Sequence, residues 1–379
     1  MNMKKLLIFL LCISLIYAIP IKAFAKEKLD FVQAKSVVLM CMDNNEVLYA
    51  ENENEHLSPA SVTKIMTILL VLEAIENKQI SLSDKVSASA EAVSMGGSQI
   101  WLEVGEQMTV EELFKAVVVA SANDACTALA EHIGGSTSSF VKMMNDRAKE
   151  LGCKNTNFEN CNGLDDTVKN HYSCAYDLAL ISSEVMKHKI ITKYTSIWLD
   201  SLRDGKTELN NTNKLVNTYN GITGLKTGTT SNAGFCISAT ASRDNMNLVA
   251  VVLGSDTSEN RFDTASSLLD WGFANYELID AKPDKSKIKS VKIINGEIKS
   301  IRPVIDGKNK ILVKKGEGEL SYKYSIKTSV EAPVKRGDNI GKIVIEGKNG
   351  KAGVINLVAD IDVNRITLSD IFINIIKYI

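Results

Sequence analysis

The stretch from 59 to 75 places apolar side chains on nearly every side of a helix: Ile65, Met66, Ile68, Leu69, Leu70, Leu72 and Ile75 leave it no polar face. A helix of this kind has to be buried centrally, with other elements wrapped around it. Ser58 is the expected N-cap, and Pro59 suits the first helical position. A chain of 379 residues, 45% hydrophobic and with only 5 Pro, has ample material for such a core in two domains, and disorder is not indicated.

The start of this helix carries Ser61-Val62-Thr63-Lys64, and two further motifs follow in order, Ser121-Ala122-Asn123 and Lys226-Thr227-Gly228. Each is cheap alone. Ser-x-x-Lys recurs at Ser139 with Lys142 and at Ser286 with Lys289, and Ser-x-Asn recurs at Ser258 with Asn260. Position separates them. Helical stretches over 110–120 and 124–133 put Ser121 in a short turn between helices, with Gly134-Gly135 as the stop. Strand patterns over 222–229, 235–242 and 247–254 form a β-meander with Lys226 on its first strand. The rival Ser139 pair falls inside a surface-type helix over 138–151, and the Ser286 pair lies in a charged linker.

Two strands joined by a turn at Asp43-Asn44-Asn45-Glu46 precede the first motif, and helices over 175–187 and 261–276 complete this part. A boundary is expected near 278–287, where Asp, Lys and Pro cluster. Beyond it, short strands over 290–294, 311–313, 322–327, 342–346 and 353–359, with a turn over 333–339, read as a small all-β domain. The last stretch, 368–379, holds Ile371, Phe372, Ile373, Ile375, Ile376 and Ile379. It is too short to span a bilayer; it is expected either to lie in a membrane interface as an amphipathic helix or to pack on the β domain.

At the other end, Lys4 and Lys5 precede an apolar run over 6–19 and the small-residue site Ala23-Phe24-Ala25. This reads as a secretory signal cleaved before Lys26, the rival being an uncleaved anchor. Removing it takes the formal net charge from −1 to −4, which makes a nucleic-acid partner a poor fit. The domain reading is therefore signal over 1–25, catalytic part over 26–278, β domain over 288–364 and a possible membrane-associating helix over 366–379. Six Cys remain, at Cys41, Cys126, Cys153, Cys161, Cys174 and Cys236, without metal-finger spacing. A disulfide among Cys153, Cys161 and Cys174 is open in an exported chain.

Ser61 and Lys64 are three apart on a helix, so they share a face and the amine can reach the hydroxyl. The helix start offers free N–H groups to an oxyanion formed when Ser61 attacks a carbonyl. A lysine with an ordinary pKa near 10.4 is no base at neutral pH, but burial and a second cation, Lys226, both lower it. Ser121 then bridges the amines and passes a proton to the leaving nitrogen, while the Asn123 amide holds Lys64 and the substrate carbonyl. Lys226 and Thr227 on a strand suit the terminal carboxylate of an extended peptide, and Gly228 leaves room for the substrate backbone. The four His residues do not enter, and no Gly-x-Ser-x-Gly elbow is present.

These motifs and their flanks, Pro59 to Thr67, Val119 to Ala125 and Gly224 to Thr230, resemble the D-alanyl-D-alanine carboxypeptidases, the low-molecular-mass penicillin-binding proteins, over roughly residues 30 to 275. The resemblance implies an α/β (α+β), transpeptidase/β-lactamase-like domain with helices on an antiparallel sheet, with the small C-terminal all-β domain as appendage. It implies an acyl-enzyme on Ser61, base work by Lys64, relay through Ser121, carboxylate recognition by Lys226 and Thr227, and an oxyanion hole from the N–H groups of Ser61 and Thr229. Arg261 falls where related enzymes place a carboxylate-binding arginine, its other reading being a helix-start salt bridge. The implied substrate is a peptidoglycan stem peptide ending in D-Ala-D-Ala, with β-lactams as inhibitors. The rivals are a class A-like β-lactamase, for which Glu159 is the candidate glutamate, and a non-catalytic wall-binding or β-lactam-sensing module. No metal or organic cofactor is required, and nothing has their ligand spacing.

Overall fold

The computed structural model describes residues 29–166, 168–307, 310–348 and 350–367. The expected signal stretch and the apolar end over 368–379 lie outside these residues. Five antiparallel strands form the central sheet: β1 (Ser36–Cys41), β2 (Glu46–Glu51), β3 (Ile222–Thr230), β4 (Gly234–Arg243) and β5 (Met246–Ser255). Their order is β2-β1-β5-β4-β3, so the third motif sits on an edge strand with one side unpaired within the sheet.

The all-round apolar helix is α1 (Lys64–Glu76), with every residue from Lys64 to Leu72 buried. Its neighbours are α2 (Val110–Val119), α3 (Asn123–Gly134), α4 (Thr137–Glu150) and α5 (Ala175–Val185). α2 begins with a capping box in which Thr109 accepts from the Glu112 N–H and Glu112 reaches back to the Thr109 N–H, satisfying two otherwise orphaned donors. These helices share one core with Val38, Met40, Val249 and Val251 on one face of the sheet. The opposite face is covered by α6 (Ser258–Asn275), where a Cβ on Gly272 would stand 2.7 Å from Leu248 and 2.9 Å from Leu39. Coverage on both faces explains why β5 reads as a near-continuous apolar run.

Three expectations change. The first motif does not start an α-helix: Ala60–Thr63 form one 3₁₀ turn, and α1 begins only at Lys64. Ser58 is not a cap; its hydroxyl donates to Asp165 at 2.8 Å, because the turn's left-handed Ala60 (φ +47°) carries the chain away from a capping geometry. Cys153, Cys161 and Cys174 are buried free thiols, so no disulfide joins them.

The expected linker at 278–287 is partly strand. β6 (Tyr276–Asp280) leaves α6 directly and pairs with β8 (Lys310–Lys314), so helix and β domain meet without a flexible tether. β7 (Val291–Ile294), β9 (Ser321–Ile326), β10 (Asn339–Gly347) and β11 (Gly350–Val358) carry the rest, with short strands at Ser300–Ile301, Val304–Ile305 and Ser329–Glu331 that the sequence pattern is too brief to reveal. β7 and Ser329–Glu331 run parallel, in an otherwise antiparallel domain with two small apolar cores.

Leu69 lies at the centre of the all-round buried helix, fully out of water. Leu69→Ala is expected to lower the stability of the catalytic part by about 2–5 kcal/mol in denaturant titration, and a loss below about 1 kcal/mol would contradict central burial.

Candidate active site

The 3₁₀ turn lifts Ser61 to a half-buried position while Lys64, one turn on, is completely buried. The Lys64 amine meets the Ser61 hydroxyl at 2.8 Å and donates to the Asn162 carbonyl at 2.7 Å. Burial lowers the Lys64 pKa to about 8, against an opposing pull from Cys126, Cys161 and Asp124. Lys226, also buried, is pushed well below the ordinary lysine value by burial first, then by Lys64 and Arg261. The expectation that Lys226 lowers Lys64 is thus corrected: burial does that work at Lys64, and the repulsion between the amines bears on Lys226.

The turn is gripped from two sides. On β3, a Cβ on Gly228 would come within 2.8 Å of the Pro59 carbonyl and the Ser61 N–H. The space Gly228 leaves open is therefore filled by the backbone of the Ser61 turn, not reserved for substrate. On the other side Gly163, at φ +84°, presses on the turn so closely that a Cβ would overlap the Ala60 carbonyl at 1.8 Å. The loop carrying Asn162 and Gly163 is fixed below by Thr67, which donates to the Cys161 carbonyl at 2.6 Å. Asp165 ties the pieces together, accepting from Ser58 at 2.8 Å and from Thr230 at the end of β3 at 2.6 Å.

One histidine does enter, as support. His171 Nδ1 accepts from the Glu159 N–H at 3.0 Å, which leaves Nε2 as the donor to Thr63 Oγ1 at 2.8 Å. Burial lowers its pKa to about 4, so it stays neutral and holds this tautomer.

Ser121 sits where expected, between α2 and α3, buried and at φ +62°, a conformation that costs a non-glycine residue about 1–2 kcal/mol. Its hydroxyl has no hydrogen-bond partner among the described residues. Asn123 departs from expectation. Its amide Nδ2 donates to the Gly96 carbonyl at 2.7 Å, and no bond joins it to Lys64. The buried Oδ1 has no partner, because the loop over 96–98 claims only the donor end. Asp124 beside it accepts from Ile100 and Leu102 N–H groups, pinning that loop to the start of α3.

On β3 the Lys226 amine donates to the Thr227 carbonyl at 2.8 Å, and Thr227 Oγ1 donates to Thr212 Oγ1 at 2.7 Å. Thr229 is exposed, its hydroxyl bonded to the Gly228 carbonyl. Arg261 does not take its helix-start salt-bridge reading. It is buried, makes no salt bridge among the described residues, and donates from Nη1 to the Gly228 carbonyl, Thr229 Oγ1 and the Cys236 carbonyl, each at 3.2 Å. It buttresses the end of β3.

Ser61, Lys64, Lys226, Thr227, Gly228 and Thr229 are thus brought to one junction of turn and edge strand, with Ser121 and Asn123 at the adjoining helix start. The duplicate motifs are elsewhere: Lys142 is exposed and paired with Asp146, Ser286 is bonded to Asp284, and Ser258 receives Arg261. Asn162, Gly163, Asp165 and His171 escaped the sequence reading. An Asn-Gly pair is a recognisable turn signal, but a backbone carbonyl as a ligand to lysine has no residue signature.

Comparison with known proteins agrees with this architecture. A model of the D-alanyl-D-alanine carboxypeptidase family matches residues 22–257, and one of the penicillin-binding protein 5 C-terminal domain matches residues 276–365. The D-alanyl-D-alanine carboxypeptidase DacF of Bacillus subtilis is 43% identical over 359 residues, 92% of each chain. Penicillin-binding protein 5 of Haemophilus influenzae superposes with a TM-score of 0.80 at 32% identity, covering 89% of this chain and all of that one. Penicillin-binding protein D2 of Listeria monocytogenes, solved in its ampicillin-bound form, has a TM-score of 0.60 at 32% identity over 65% of this chain and all of its own.

Gly228→Ala would push β3 off the Ser61 turn. The variant is expected to remain folded by circular dichroism but to release D-Ala from a D-Ala-D-Ala peptide at least about 100-fold more slowly, the scale of a misplacement near 1 Å. Unchanged turnover would show that the contact does not set the geometry.

Proposed function

This chain belongs to the serine-type D-alanyl-D-alanine carboxypeptidase family, and from that premise we propose that it is an exported enzyme that removes the terminal D-Ala of peptidoglycan stem peptides through an acyl-enzyme on Ser61. The observation that carries the proposal is the 2.8 Å contact between the Ser61 hydroxyl and an amine that burial holds at a pKa of about 8.

In this reading the neutral Lys64 amine takes the Ser61 proton as the oxygen attacks the penultimate D-Ala carbonyl. The oxyanion is received by the N–H groups of Ser61 and Thr229, which the close packing of Gly228 on the turn brings together. Ser121, whose hydroxyl is unclaimed by the fold, relays a proton to the departing D-Ala nitrogen. Lys226 and Thr227 receive the substrate carboxylate, and edge strand β3 aligns the peptide by backbone pairing. The unpartnered Asn123 Oδ1 is left to accept a substrate N–H. Water then cleaves the ester. β-Lactams, as cyclic mimics of the acyl donor, acylate Ser61 in the same way.

The carboxylate of Glu159 accepts from the Lys169 and Asn170 N–H groups and so is engaged in shaping a loop, which speaks against a β-lactamase-type deacylating role. The proposal includes an extracytoplasmic address and a peripheral membrane contact through the apolar stretch over 368–379.

Ser61→Ala should abolish both D-Ala release and labelling by fluorescent penicillin; D-Ala release surviving in that variant would overturn the assignment. A protonated Lys64 cannot accept a proton, so the acylation rate should rise with pH and level off above about 8. Stopped-flow acylation that is flat across roughly pH 6 to 9 would exclude Lys64 as the base.

A further inference from the structure

The modest overall charge of this chain conceals a separation. Residues 26–280 hold 21 Lys and Arg against 34 Asp and Glu, whereas residues 281–367 hold 19 against 10. The catalytic part is strongly acidic and the β domain strongly basic. In the β domain the excess is displayed outward. Lys282, Lys285, Lys287, Lys289 and Lys292 are all exposed on the stretch that enters β7, and none makes an ion pair among the described residues.

Two concavities flank that stretch. One, of about 600 Å³, is lined by Lys287, Lys289 and Lys327 with Ser290, Thr328 and Tyr324, and by no acidic side chain. The buried Tyr324 hydroxyl there has no hydrogen-bond partner among the described residues. The other, of about 580 Å³, is lined by Lys285 and Arg302, with Asp360 as its only acid. The stretch is held in place rather than loose: Arg302 donates to the carbonyls of Ile288 at 3.0 Å and Lys285 at 2.8 Å, and Asp284 accepts from the Ser286 N–H and hydroxyl. The Lys327 amine donates to the Asn339 carbonyl at 2.8 Å, but no carboxylate pairs with it, Lys287 or Lys289 among the described residues, and a fixed backbone carrying such cations is a phosphate-seeking surface.

We propose that this face of the β domain docks on an anionic lipid surface, with the Lys287–Lys289–Lys327 concavity receiving lipid phosphate. The choice of lipid over a soluble polyphosphate follows from the chain itself. Residue 367 leads into the apolar stretch over 368–379, whose only charges are Asp370 and Lys377 and which therefore cannot supply its own cations. Stable peripheral anchoring takes two signals, an apolar one and a polybasic one. The docking rests on the peripheral-contact part of the proposal above and is independent of the reaction at Ser61.

The test is cosedimentation of the full chain with phosphatidylcholine vesicles and with vesicles that also contain phosphatidylglycerol. Apolar stretches at the chain ends are common to every protein compared and set binding to neutral vesicles; the lysines set the preference for anionic ones. Binding to anionic vesicles is expected to exceed neutral binding by about 100-fold or more at low salt, and to fall as salt is raised. A K287Q/K289Q/K327Q variant should lose most of that preference, at about fivefold per lysine. The charge-matched K142Q/K149Q/K154Q variant on the catalytic part should keep it. D-Ala release from a soluble peptide should be unchanged in both. Equal binding to the two vesicle types, equal loss in the two triple variants, or complete stripping from vesicles by inorganic polyphosphate at equal phosphate concentration would each overturn the proposal. Should the first triple variant fail to fold, Lys289→Gln alone, whose amine bonds nothing among the described residues, must lower the preference about fivefold.

Discussion

Everything at this site depends on removing one ammonium group from water. Lys64 has no exposed surface, and the fold surrounds it with α1, the loop over 159–165 and α3 rather than with a carboxylate partner. Unpaired burial disfavours the charged form, and that turns an ordinary lysine into a group able to take a proton from a serine near neutral pH. The cost is met by the helix core: only an α1 buried on all sides can carry a lysine at its first turn into that interior.

The surroundings of the pair are organised to hold distances, not to add charge. Gly228 and Gly163 let a strand and a loop close on the Ser61 turn from opposite sides, where any side chain would collide with backbone. Asp165 links Ser58 to Thr230, His171 steadies Thr63, and Arg261 fastens the end of β3. These contacts join segments far apart in sequence, so the positions of Ser61, Lys226 and Ser121 are properties of the whole domain. Among the described residues, the buried Ser121 hydroxyl and the buried Asn123 carbonyl oxygen are left without a partner beside the Ser61–Lys64 pair.

Much of this was legible from residue types. The all-round apolar helix dictated central burial, the meander strands appeared within a residue or so of their pattern, and motif position chose Ser61 over Ser139 and Ser286. What escaped was of two kinds. Short strands such as Val304–Ile305 and Ser329–Glu331 are two or three residues long and exist only through their partners. Site contacts made by backbone, notably the Asn162 carbonyl to Lys64 across 98 positions, leave no mark in side-chain chemistry. Gly228 shows the subtler failure: its need for space was visible, but what fills that space was not. Asn123 was found by motif and given a partner it does not have, because motif spacing fixes neighbourhood and not hydrogen bonding.

Whether burial makes Lys64 a base can be read from a titration of the lysine side chains. With ¹³C-labelled lysine incorporated into the full chain, and the Lys64 and Lys226 resonances assigned by substitution, the Cε shift reports each amine separately. Lys64 is expected to titrate near 8, with Lys226 well below the ordinary lysine value. A Lys64 resonance that stays protonated up to about pH 10 would contradict it.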